Sequence, residues 1–71
     1  MRKLNPEKLY HSKWTARAVK NKEKHFLVTR LIRDEQDVVV SCEIEAVINL
    51  KSRQIDWQEL CDPTGWRQGW K

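Results

Sequence analysis

The sequence predicts a mainly β fold: a single small antiparallel meander, or its curled form, an open Tudor-like barrel of four to five strands with one or two short helical turns. Three observations point there. Apolar and polar residues alternate through the middle of the chain, as half-buried strands require. Polar clusters at residues 20–24 and 34–37 punctuate those stretches at hairpin spacing. Four tryptophans, Trp14, Trp57, Trp66 and Trp70, give a chain of 71 residues the apolar mass to close a small core. Each ring can bury roughly 150–250 Å², an upper bound of about 4–6 kcal/mol at about 25 cal/mol per Å².

The chain begins with a helical turn. Asn5 can cap it, Pro6 suits the first helical position, and Glu7 suits the positive end. The turn should span residues 6–10, with Leu4 and Leu9 anchoring it to the sheet. From Lys13 the period is two: Trp14, Ala16 and Ala18 face inward, Lys13, Thr15 and Arg17 outward. Residues 20–24 form a turn around Asn21. Residues 25–32 carry apolar side chains on both faces, which indicates a central strand or a bulge that switches faces. After the turn at 34–37, residues 38–48 alternate most regularly. Val38, Val40, Cys42, Ile44, Ala46 and Ile48 share one face, and Glu43 and Glu45 lie on the other. Eleven residues make a strand of about 35 Å. Residues 53–55 form a short strand. Asp56 and Glu59 have capping-box spacing, so 57–61 should be one helical turn with Trp57 plugging one end of the barrel. Pro63 and Gly65 suit a type I turn. The tail is ambiguous between helix and strand, since a spacing of four puts Trp66 and Trp70 on one side of either.

One domain is expected over residues 1–71: a lead-in at 1–12, the β meander at 13–55 and a tryptophan-rich segment at 56–71. No apolar run approaches the roughly 20 residues of a membrane span. No apolar run follows Met1-Arg2-Lys3, so no secretory signal is read there. The expectation is a cytoplasmic monomer without a membrane partner.

Charge is asymmetric. Residues 1–33 hold ten of the fourteen Lys and Arg but only two of the ten acids. Either the basic half contacts phosphates or an acidic protein surface, or basic and acidic strands pair with each other. Cys42 and Cys61 with His11 and His25 match no usual zinc spacing, and free thiols are expected, Cys42 as a small core residue. No metal or other cofactor is expected.

His11-Ser12-Lys13-Trp14-Thr15-Ala16, Asn21-Lys22-Glu23-Lys24-His25-Phe26, Glu45-Ala46-Val47, Ile55-Asp56-Trp57 with Leu60 and Asp62, and Trp66 with Gly69-Trp70 form a distinctive set of segments. Together they resemble a family of small tryptophan-rich bacterial proteins of unknown function. The similarity covers nearly the whole chain. It implies a stand-alone protein of this length and no assigned activity. Cys61 departs from the family pattern, where a basic residue before the Asp is more typical, so it is not a family-wide functional thiol.

No catalytic constellation stands out. His25 reads as a half-exposed residue at a strand start, and the Asp56/Glu59 pair is accounted for by capping. Two glycines near the C-terminal end cannot build a phosphate-cradling loop. The sequence therefore points to a non-enzymatic binding module. Its cations Lys13, Arg17, Lys20, Lys22, Lys24 and Arg30 could face the phosphates of RNA or single-stranded DNA, with Trp66, Arg67 and Trp70 beside them. The alternative is a protein-interaction module anchored by the segment Trp66-Arg67-Gln68-Gly69-Trp70, because Trp and Arg dominate interface hot spots.

Overall fold

The computed structural model describes residues 1–71. A 3₁₀ turn (Pro6–Lys8) precedes β1 (Lys13–Lys20), β2 (Glu23–Arg33), β3 (Val39–Ala46) and β4 (Ser52–Ile55). A second 3₁₀ turn (Trp57–Cys61) leads to β5 (Trp66–Gln68). All neighbouring strands are antiparallel, in one open sheet of order β4-β3-β2-β1-β5. Strands β1 to β4 form the expected meander. The chain then crosses from one edge of the sheet to the other, so that β5 pairs with β1.

That crossing makes the core. The second 3₁₀ turn buries Leu60 and Cys61, and β5 buries Trp66. They close over the sheet face that carries Trp14, Phe26, Val28 and Ile44. Phe26 and Trp66 meet edge to face, with ring centroids 5.2 Å apart, a favoured aromatic geometry. Trp14 is 1 % exposed, and its indole N–H donates to Ser12 Oγ at 2.8 Å. Trp57 is partly buried against the cluster, as a plug at its margin.

Both N-caps form, but the capping box at Asp56 does not, since the Glu59 carboxylate returns no bond to Asp56 N. Asn5 Oδ1 accepts from Glu7 N (3.0 Å), and Asp56 Oδ1 accepts from Gln58 N (2.9 Å). The first turn ends at Lys8, shorter than expected, and Leu9 and Leu4 pack on the core. In the β1–β2 hairpin Asn21 and Lys22 have φ of 56° and 62°, the pattern of a two-residue type I′ turn. Lys24 belongs to β2 rather than to the turn. In the β2–β3 turn Asp34 Oδ1 accepts from Gln36 N and Val38 N.

Three irregularities depart from the alternating pattern. Between Ile32 and Arg33 the β2–β3 register shifts, with Ile32 opposite Ser41 and Arg33 opposite Val39, so Val40 is an extra residue on β3. Val39 thereby joins the inner face with Cys42, Ser41 is buried and accepts from Gln54 Nε2 at 2.9 Å, and Val38 and Val40 are 53 % and 45 % exposed. β3 ends at Ala46, which leaves Ile48 in the following turn at 62 % exposure, not on the inner face. A second shift lies in β2 between Val28 and Arg30, so β2 is both a central strand and a bulged one. The third is larger. Thr15 pairs with His25 and Lys20 with Glu23, so four residues of β1 stand opposite Lys24 alone. β1 bows away there, and Ala18 is exposed rather than inward-facing in the core.

Candidate functional site

The outer face of β5, β1 and β2 carries an organised surface. Gly69, at φ 81°, turns the chain after β5 so that residues 69–71 run across this face. Gly69 N donates to Lys13 O (2.8 Å). Thr15 Oγ1 donates to Gly69 O (2.7 Å) and accepts from Lys71 N (2.9 Å). Thr15 is thereby only 2 % exposed, although it sits on the face opposite the core.

Trp70 lies on top of this strap. Its indole N–H donates to Phe26 O (2.9 Å), which fixes the ring, yet the residue remains 43 % exposed. Lys13 Nζ stands 4.8 Å from the ring centroid, and the His25 ring is 6.1 Å away. His25 Nε2 donates to Lys71 O (3.0 Å). Alternation puts Arg17 on the same side as Lys13 and Thr15, and Arg67 is the direct cross-strand partner of Thr15. Lys13, Arg17 and Arg67 are exposed, and none has a carboxylate within ion-pair distance.

The structure divides the residues that the sequence grouped together. Lys13, Arg17, Arg67 and Trp70 share the outer face. Trp66, 7 % exposed, is a core residue and offers no surface for stacking. Gly69 separates the two rings onto opposite faces, where an uninterrupted strand or helix would have kept them together. Lys20 lines a cleft of about 180 Å³ on the inner side, with Ala18, Glu23, Arg53, Glu59 and Trp66. That volume is below the roughly 300–1,000 Å³ of ordinary small-molecule pockets. Lys22 is at the tip of the β1–β2 turn. Arg30 lies 3.8 Å from the Glu43 carboxylate across the β2–β3 ladder. Charge pairing between basic and acidic segments thus operates at Arg30 and at Arg33, which is bound to Glu7 and lies 3.7 Å from Asp37. It does not reach Lys13, Arg17, Lys20, Lys22 or Lys24.

A family model described as "Tryptophan-rich protein (DUF2389)" matches residues 12–71, a span that holds all four tryptophans. The chain belongs to that family. Its function is unknown. No curated protein and no solved structure matches the chain.

Within this member of the tryptophan-rich family, two contributors escaped the sequence pattern. Arg2 Nη1 donates to Leu60 O and Nη2 to Trp66 O, both at 2.7 Å, and the guanidinium lies 5.3 Å from the Trp14 ring centroid. It joins the first residues to the crossing segment, from a position outside the family match. Thr15 is the other, since nothing in an alternating strand marks an outward hydroxyl as buried. Both thiols are free and buried, and burial, with Glu59 and Asp56 nearby, pushes the Cys42 thiol up to about 11.

Proposed function

We propose that the protein is a non-enzymatic, cytoplasmic binding module that takes single-stranded nucleic acid, RNA or DNA, on the outer face of β5, β1 and β2. The observation that carries the reading is Trp70: an indole held by its own N–H to the backbone, 43 % exposed, with Lys13 over its ring and Arg17 and Arg67 on the same face of the sheet, none of the three in an ion pair. A base stacks on such a ring without sequence preference, because every base has a π-face. Lys13, Arg17 and Arg67 then meet the phosphates of the same strand. A ring already fixed loses little freedom on binding, which favours affinity. The protein-docking alternative keeps Arg67 and Trp70 but loses Trp66 to the core.

Fluorescence anisotropy with labelled oligo(dT) or mixed-sequence RNA tests the proposal. Three phosphate contacts give log K a slope of about −2 against log salt for a single strand. Trp70→Ala weakens binding by roughly 1–3 kcal/mol, about 5- to 150-fold. Absence of binding at low salt, or unchanged binding by Trp70→Ala, overturns the reading, and partner capture from a lysate then becomes the next experiment.

A further inference from the structure

The lysines that the outer face leaves unused lie at one end of the sheet, together with Ile48 and Leu50, the most exposed large apolar residues after Met1. The β1–β2 turn and the β3–β4 turn are adjacent there. Asn49 Nδ2 donates to Glu23 Oε2 at 2.7 Å, and Val47 N donates to His25 O at 2.9 Å, latching one turn to the other. Val19, Val47, Ile48 and Leu50 are 50 %, 42 %, 62 % and 68 % exposed. The β3–β4 turn is ordered, not loose: Leu50 N donates to Ala46 O (2.8 Å), and Lys51 N donates to Asn49 Oδ1 (3.0 Å). Leu50 also holds φ at 59°, a conformation that an L side chain adopts at a cost, and its side chain is exposed.

Around these side chains stand Lys20, Lys22, Lys24, Lys51 and Arg53, all exposed and none in an ion pair. Nearby acids are fewer: Glu23, Glu45 and Glu59, the last sharing the inner cleft with Lys20 and Arg53. Glu23 accepts from Asn49, and Glu45 accepts from Ser52 Oγ at 3.5 Å. Three further acids, Asp34, Glu35 and Asp37, lie at the far end of the sheet, in the β2–β3 turn.

We propose that this end of the sheet docks on an anionic lipid surface, with Ile48 and Leu50 entering the boundary between headgroups and acyl chains and the five cations meeting lipid phosphates. Aliphatic side chains at the tip of a turn, ringed by basic ones, have the combination that interfacial insertion needs: apolar area plus attraction to negative lipid. Nucleic acid fits this end less well, because aliphatic side chains give bases no ring to stack on. A second copy fits less well too, since two such ends carry the same sign of charge. The far acidic end would face away from the membrane, so the charge distribution also sets the orientation.

The test is co-sedimentation with vesicles of phosphatidylcholine alone and with about one-third phosphatidylglycerol. Wild-type protein partitions onto the anionic vesicles, stays in solution with phosphatidylcholine, and is released by salt. Lys22→Glu and Lys51→Glu each lower partitioning by about fivefold or more, as expected for about 1 kcal/mol per basic residue at such a surface. Ile48→Gln with Leu50→Asn lowers it by at least about tenfold while keeping the net charge. Asn tolerates the left-handed backbone, so this variant stays folded, which its cooperative thermal transition verifies. Wild-type protein that remains in the supernatant at low salt overturns the proposal. So does unchanged partitioning of the Ile48/Leu50 variant. Loss of oligonucleotide binding by Lys22→Glu and Lys51→Glu, without vesicle uptake by the wild type, assigns this end to nucleic acid instead. Concentration-dependent self-association without vesicle uptake assigns it to a second copy.

Discussion

Replacing Trp14 by alanine tests the account of the core most directly. The ring is 1 % exposed and sits among Phe26, Val28, Leu60 and Trp66 in one cluster. Burial of about 200 Å² corresponds to roughly 5 kcal/mol at 25 cal/mol per Å², an upper bound because the unfolded chain is partly collapsed. The substitution also leaves Ser12 Oγ without the indole donor and removes the ring beside the Arg2 guanidinium. Large-to-small replacement of a buried aromatic costs about 3–5 kcal/mol. A chain of this length is expected to have a total stability of about 4–10 kcal/mol, at 0.05–0.15 kcal/mol per residue. Trp14→Ala therefore removes from about a third to all of the stability. Urea unfolding followed by far-UV circular dichroism measures it: the midpoint falls sharply, or the variant has no folded baseline. A cooperative transition within about 1 kcal/mol of the wild type would refute the reasoning, because the Trp14 side of β1 could not then be the core face.

Three further outcomes follow from the same geometry. Arg2→Met keeps the aliphatic stem but loses both carbonyl contacts, and should cost about 1.5–3 kcal/mol in urea unfolding, in the range of charge-assisted bonds. Lys22→Gly gives the β1–β2 turn the Asn-Gly pair that a type I′ turn favours, and should raise stability by up to about 1 kcal/mol, read as an increase in Tm. The Cys42 thiol ionises at about 11 in the fold, against 9.0 for an ordinary thiol. The unfolded chain thus loses this proton first, and stability should fall as pH rises from about 9 to about 11. Cys42→Ala should flatten that part of the pH profile, and alkylation of Cys42 at neutral pH should track unfolding.

Much of the sheet was legible because its causes are local. Period-two alternation marked β1, β2 and β3, turn chemistry marked Asn21 and Asp34, and Asn5 and Asp56 marked the caps. The features that escaped depend on contacts between distant segments or on inserted residues. Val40 and the bowed stretch of β1 interrupt a register that alternation assumes to be unbroken. Pairing of β5 with β1 depends on residues 54 positions apart, such as Trp14 and Gln68. The candidate site was legible in its ingredients, Lys13, Arg17, Arg67 and Trp70, but not in its membership. Gly69 turns the strap, and that turn sends Trp66 inward and Trp70 outward. A spacing of four, which puts both rings on one side of a helix or a strand, could not foretell it.

Pairing of β5 with β1 has a consequence for the nascent chain. Synthesis proceeds at about 5–20 residues per second, so β1 emerges roughly 3–10 s before its partner on that edge. During that interval the hairpins can form while the Trp14 side of the sheet lacks Trp66 and the second 3₁₀ turn. An unfinished edge with an uncovered aromatic ring is a hazard for association with other chains on a polysome. Lys13, Arg17 and Lys20 all lie on that waiting strand, and charged side chains along an open edge oppose such pairing. Whatever the basic strand binds once folded, it already guards its own edge while translation is still under way.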